Sequence, residues 1–151
     1  MKNILLLTGL ALGGMSSQAF AAGACTVKLA GNDAMQYDVK SATVSASCPM
    51  ITVEFTHTGK MPVTAMGHNV VISQTVLYQA VANDGLKAGV AANYVPKNDS
   101  RVIASTALVG GGQSTKTTFP GSRLKPGGDY AFFCSFPGHA ALMRGKLIVA
   151  K

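Results

Sequence analysis

Apolar and polar residues alternate in short runs along most of this chain, the period-2 pattern of half-buried strands. Cys25-Thr26-Val27-Lys28-Leu29 alternates, as does Ile51-Thr52-Val53-Glu54-Phe55-Thr56. Asn69-Val70-Val71-Ile72 is shorter and more continuously apolar, as a deeply buried strand requires. Further strands are predicted over Val102 to Ser105, Ser114 to Phe119, Tyr130 to Phe133 and Lys146 to Val149. Pro120-Gly121 and Lys125-Pro126-Gly127-Gly128 supply turns between the later ones. One stretch changes period. From Thr75 to Val90, the residues Val76, Leu77, Ala80, Val81 and Leu86 fall nearer a helical spacing, interrupted at Asn83-Asp84-Gly85, which predicts a short helical excursion. About eight short strands with regularly spaced turns point to an all-β fold, a two-sheet sandwich in a single domain. No internal repeat, long linker or low-complexity tract is visible.

The amino terminus has a different character. Lys2 precedes the apolar run Ile4 to Leu12, a small-residue stretch follows, and Ala19-Phe20-Ala21 has the A-x-A form that signal peptidase reads. This predicts a bacterial secretory signal over residues 1–21, cut after Ala21 or after Ala22, and a folded domain over residues 22–151. The run is broken by Gly9, Gly13 and Gly14 and is short for a span of roughly 20 apolar residues, so no membrane span is expected in the mature form. Ala22-Gly23-Ala24-Cys25 faintly resembles a lipid-attachment box, but Ala22 stands where such boxes carry Leu.

Charge narrows the partners. The chain carries 13 Lys and Arg against 6 Asp and Glu, a net charge of +7 that becomes +6 once Lys2 is removed. That excess favours acidic partners. The basic residues are spread out and not interleaved with aromatics, so the footprint of a nucleic-acid binder is missing.

Three cysteines in an exported chain cannot all pair. Cys25 and Cys48 both lie in the amino-terminal third at the edges of predicted strands, and a disulfide between them would stabilise by roughly 3 kcal/mol. Cys134 is then the odd one. It sits in Cys134-Ser135-Phe136-Pro137-Gly138-His139-Ala140-Ala141-Leu142-Met143, which offers a thiolate, an imidazole and a thioether from one loop. Soft sulfur donors select copper, and two histidines with one cysteine and a long axial methionine make a blue-copper electron-transfer site. The second histidine is sought among His57 and His68. His68 is preferred because Gly67 before it lets a backbone carbonyl approach the metal. His57, alone at a strand end, is expected to be a packed structural residue.

Met66-Gly67-His68-Asn69, Asp99-Ser100-Arg101-Val102-Ile103-Ala104 and Phe132 to Met143 together resemble the azurins, small blue-copper proteins of bacterial periplasms. The likeness runs over the whole mature chain. It implies a cupredoxin-like Greek-key β-sandwich of about eight strands with a helical insertion, and a disulfide at Cys25 and Cys48. It implies one type 1 copper held by His68, Cys134 and His139, with the Met143 sulfur and the Gly67 carbonyl as weak axial ligands. Asn69 would tie the ligand loops together and, with the backbone N–H of Phe136, shape the electron density on the Cys134 sulfur. One departure is the lack of any Trp: Val70 stands where azurins often carry a buried tryptophan, so the core must repack around a smaller side chain.

A filled ligand shell leaves no open position for substrate, which predicts an electron carrier and not an enzyme. His139 lies among Phe136, Pro137, Ala141 and Leu142, and with Met35, Met61 and Met66 these are expected to form an apolar patch for brief docking. The resemblance implies a mostly monomeric protein whose partners are redox proteins such as cytochrome c, nitrite reductase or amine dehydrogenase. Three other readings use the same residues. A structural zinc site would have a thioether as its fourth ligand, which zinc takes poorly. A Cys134–His139 nucleophile pair has no recognisable group to orient the histidine. A copper-delivery protein would share every ligand and differ only in releasing the ion.

Overall fold

The computed structural model describes residues 24–151, and the expected signal segment, residues 1–21 with its cut after Ala21 or Ala22, lies outside them. In chain order the described residues form β1 (Thr26–Asn32), β2 (Gln36–Tyr37), β3 (Ser41–Ser45), β4 (Met50–His57), the short helix α1 (Val63–Met66) and β5 (Val71–Gln74). Helix α2 (Tyr78–Ala88), β6 (Ala104–Ser105), β7 (Ser114–Pro120), β8 (Tyr130–Phe133) and β9 (Arg144–Ala150) complete them. One sheet has the order β2-β1-β4-β7 and the other β3-β9-β8-β5-β6. Both are mixed, because β1 runs parallel to β4 and β3 parallel to β9. This is the expected sandwich.

Register converts the alternation into a core. Val27 faces Val53 and Leu29 faces Phe55 across β1 and β4, all buried, while the intervening Lys28 and Glu54 point outward and approach to 3.6 Å. From the second sheet Ile72, Phe132, Leu147 and Val149 close on them. Two strands escaped prediction. β2 is too short to show a period, and β3, Ser-Ala-Thr-Val-Ser, has a single large apolar residue in Val44.

The helical excursion is real and longer than its sequence breaks imply. A 3-10 turn over Thr75–Leu77 leads into α2, which continues through Asn83-Asp84-Gly85. Gly85 lies so close to the loop after the helix that a Cβ there would stand 2.1 Å from the Tyr94 carbonyl oxygen. Asp84, also inside the apparent break, pairs with Lys87 at 2.9 Å and with Arg101 at 2.8 Å. The helix buries Val81 and Ala82 in a cluster with Val71 and Phe133. Every residue of β8 is therefore buried, Tyr130 and Phe132 in the sandwich core and Phe133 under α2.

Cys25 and Cys48 form the expected disulfide, with Cα atoms 5.6 Å apart, tying the start of β1 to the β3–β4 turn. Cys134 remains a free, buried thiol. Val70 is buried in the same core cluster as Tyr37, whose ring meets Phe132 edge-on at 5.3 Å and Phe55 at 5.9 Å. The Tyr37 hydroxyl donates to the Asn69 carbonyl at 2.6 Å.

Candidate metal centre

Backbone bonding at one end of the sandwich fixes the segments that carry the predicted ligands. The segment between α1 and β5 brings in His68, whose N–H and C=O pair with Val109 at 3.0 and 2.9 Å. The β8–β9 connection brings in the rest and closes on itself: the Cys134 N–H donates to the Met143 carbonyl at 2.9 Å, and the Met143 N–H to the His139 carbonyl at 2.8 Å. Gly138 has φ +81°, a conformation that a residue with a Cβ adopts only at a cost, so the turn after Pro137 needs glycine.

His68, Cys134 and His139 converge, all buried, with their donor atoms within 4.8 Å of one another. Cys134 Sγ lies 3.8 Å from His68 Nδ1 and 3.7 Å from His139 Nδ1, and the two Nδ1 atoms are 3.2 Å apart. The point equidistant from these atoms lies about 2.1 Å from each, which suits metal–nitrogen and metal–sulfur bonds of about 2.0–2.3 Å. The donor set thus fits a small transition-metal ion without rearrangement.

The tautomers agree with that use. His68 Nε2 donates to the Asn32 carbonyl at 2.9 Å, which leaves Nδ1 bare and aimed at the centre. His57 stacks on His68 with ring centroids 4.3 Å apart, yet both its nitrogens are engaged elsewhere. Its Nε2 donates to the Met66 carbonyl at 2.8 Å, and its Nδ1 accepts the Gly59 N–H at 3.0 Å.

Burial sets the protonation states. It pushes the Cys134 thiol up to about 12, against the pull of the Asn69 and Phe136 backbone N–H groups. It lowers His139 to about 4, with the neighbouring His68 and His57 adding to the shift. His68 is lowered by the same cause. At neutral pH the centre therefore holds a thiol and uncharged imidazoles, and an ion entering it displaces the thiol proton.

The Gly67 carbonyl oxygen is 3.9 Å from Cys134 Sγ. A Cβ at Gly67 would sit 2.6 Å from the Val63 carbonyl and 3.0 Å from both Leu108 and Phe136, so only glycine fits. Met143 is fully buried, and its terminal methyl packs so closely on Gly31 that a Cβ there would lie 2.6 Å from it.

Asn69 joins the two ligand segments. Its Oδ1 accepts the Ser135 N–H at 2.9 Å, and its Nδ2 donates to Ser135 Oγ at 2.9 Å and to the Asn93 carbonyl at 2.9 Å. Sequence reasoning passed over Asn32, Asn93, Leu108 and Ser135. Asn32 did carry a signal, an Asx turn in which its Oδ1 accepts the Ala34 N–H at 2.9 Å, but nothing local shows that its carbonyl reaches His68.

The predicted patch residues differ in exposure. Leu142 is 61% exposed and Met61 39%, with Pro137 and Ala141 also exposed. Met35, Met66 and Phe136 are half-buried. The Phe136 ring lies 4.7 Å from that of His139 and meets Tyr94 edge-on at 5.4 Å, so Tyr94 extends the surface.

Comparison with known proteins gives the same answer. Residues 23–150 match the model of the copper binding proteins of the plastocyanin/azurin family. The azurin of Alcaligenes faecalis is 52% identical over 124 residues, covering 82% of this chain and 97% of that protein. The azurin of Bordetella pertussis is 48% identical over 142 residues, covering 94% of this chain and 95% of its own length. A solved azurin from the obligate methylotroph Methylomonas sp. strain J superposes with a TM-score of 0.80 at 42% identity, covering 84% of this chain and 98% of that one. From the sandwich, the converging His-Cys-His donors and these likenesses together, the chain belongs to the plastocyanin/azurin family of copper binding proteins, and its function is that of a blue-copper electron carrier.

Proposed function

We propose that His68 Nδ1, Cys134 Sγ and His139 Nδ1 would hold the copper, that the Met143 sulfur and the Gly67 carbonyl oxygen would serve as its weaker ligands, and that the protein shuttles single electrons between periplasmic redox proteins. The observation that carries this reading is the triangle of donor atoms, already of bonding dimensions and buried. Copper bound there supplies a one-electron Cu(I)/Cu(II) couple, and a site that moves little between the two states passes electrons readily. The chain's own contribution is to keep the donors still. The Asn32 carbonyl fixes the His68 ring, the Asn69–Ser135 bonds fix the two segments, and the Asn69 and Phe136 N–H groups draw electron density from the sulfur.

His139 is buried, and we assign the docking of partners to the residues of its loop, Phe136, Pro137, Ala141 and Leu142, together with Met35, Met61 and Met66. A cytochrome c, a nitrite reductase or an amine dehydrogenase suits such an encounter, which typically buries less than about 1,200 Å². Secretion by a cleaved segment over residues 1–21, with the domain over 22–151, would place it in the periplasm as a monomer. None of the helices among the described residues is long and apolar enough to cross a membrane.

Loading with Cu(II) and recording visible and electron paramagnetic resonance spectra tests the assignment. An intense thiolate-to-copper band with narrow hyperfine splitting, bleached reversibly by one electron and lost in Cys134→Ser, is expected. Retention of the band in that variant would remove Cys134 from the centre, and transfer of the ion to an acceptor during redox cycling would make the protein a copper-delivery protein.

A further inference from the structure

We propose a second, lateral electron port: the face formed by Tyr78, Arg144, Lys146 and Lys40 docks a redox protein that presents carboxylates, and Phe133 links that face to the Cys134 sulfur. The proposal rests on the copper reading above and adds to it a place and a charge for one class of partner.

Helix α2 covers only part of the outer face of its sheet. It lies over Val71 and Phe133 and leaves β9 open, so Arg144, Lys146 and Ile148 alternate outward into solvent. Lys146 stands opposite Ser41 of the edge strand, and its N–H donates to the Lys40 carbonyl at 2.9 Å, which sets the Lys40 side chain beside this face. Lys40, Arg144, Lys146 and Asp129 line one shallow depression. Asp129 is the carboxylate there, 4.0 Å from Lys146 and mostly exposed. Three cations against one anion leave the face positive.

Arg144 is the informative residue. The chain's two other arginines are engaged, Arg101 with Asp84 and Asp99, and Arg123 with the carbonyls of Val102 and Ile103. The Arg144 guanidinium instead lies 4.8 Å above the Tyr78 ring and donates to the Tyr78 hydroxyl at 2.5 Å. It is exposed, held by an aromatic ring, and keeps donors free for a bidentate carboxylate.

Tyr78 connects this face to the centre. Its ring meets that of the fully buried Phe133 edge-on at 5.7 Å, and Phe133 is bonded directly to Cys134. A partner seated on Arg144 is therefore two packed rings and one peptide linkage from the sulfur. Electron transfer weakens steeply across empty gaps, and this path has a single van der Waals step between the rings before it becomes covalent. One electron crosses, no bond forms or breaks, and no proton moves.

Two charge pairs test it. Lys40→Glu with Lys146→Glu reverses the face, and Lys116→Glu with Lys125→Glu changes the net charge equally at exposed sites elsewhere. With hexacyanoferrate(III) as oxidant of the reduced copper protein at low salt, the face pair is expected to slow exchange about tenfold and the remote pair far less, the difference vanishing at high salt. Tyr78→Leu should slow exchange with the blue band unchanged. Hexacyanochromate(III), a paramagnetic trianion that does not exchange electrons here, should broaden the amide signals of Lys40, Tyr78, Arg144 and Lys146 whether or not metal is bound. Equal slowing by both pairs, or broadening centred on Ala141 and Leu142, would overturn the port. Absence of a blue band in the unaltered protein would instead defeat the copper assignment, and the broadening would still decide the surface.

Discussion

Asn69 and Ser135 are joined by a reciprocal pair of bonds, Ser135 N–H to Asn69 Oδ1 at 2.9 Å and Asn69 Nδ2 to Ser135 Oγ at 2.9 Å, both buried. They lie directly after His68 and Cys134, so each bond fixes one donor relative to the other. Replacing Asn69 by Ala strands the Ser135 N–H without an acceptor, and the expected loss of stability is about 1–3 kcal/mol. Urea unfolding measures it. Combining Asn69→Ala with Ser135→Ala should cost less than the sum of the single changes, because the two residues share one network.

With the Cys134 thiol at about 12 and His139 at about 4, copper uptake at neutral pH should release one proton, from Cys134, and none from His139. Affinity should then rise about tenfold per pH unit through the neutral range, as mass action for a single displaced proton requires. Calorimetry in buffers of different ionisation enthalpy counts the proton, and a count of zero would mean that the resting group is already a thiolate.

Acid should destabilise the metal-free protein for a related reason. His139 titrates near 6.5 when unfolded and near 4 when folded, so its folded value is the depressed one. Between those limits the unfolded chain binds a proton that the folded chain refuses, and stability falls as pH falls through this window. His68, lowered by burial, acts in the same direction. Denaturant midpoints measured from pH 7 to pH 4 should decline, and His139→Gln should flatten the decline.

Tyr37→Phe removes a buried hydroxyl that donates to the Asn69 carbonyl and leaves the ring in place. The expected cost is about 1 kcal/mol, visible as a lower unfolding midpoint with an unchanged blue spectrum. A cost near zero would mean that the carbonyl finds another donor.

At the His139 end, Ala141→Glu places a charge on an exposed position of the apolar patch. Self-exchange between the oxidised and reduced protein should slow by about tenfold while the absorption band keeps its intensity. A lost band would show that the change disturbed the ligand loop.

The sequence by itself determined the sandwich, because alternation such as Ile51 to Phe55 leaves one face of each strand to be buried whatever the connections. It also brought out two of the three converging donors, because Cys134 and His139 lie in one short loop and local spacing bears on how they can face one another. The disulfide was legible from cysteine number and position. What tertiary structure alone decided involves residues far apart in the chain. The backbone carbonyl of Asn32 that holds the His68 ring reaches across 36 positions and belongs to no motif, since every residue has such a carbonyl. The choice between His57 and His68 follows from which ring nitrogens are already bonded, a fact that exists only once Gly59 and Met66 are packed beside His57. Helix α2 runs through a stretch that reads as a break because Gly85 lets the loop at Tyr94 come close, and that contact outweighs the local preference. The same helix leaves β9 uncovered and sets Tyr78 between Arg144 and Phe133, a juxtaposition produced by packing that the period of the sequence does not contain.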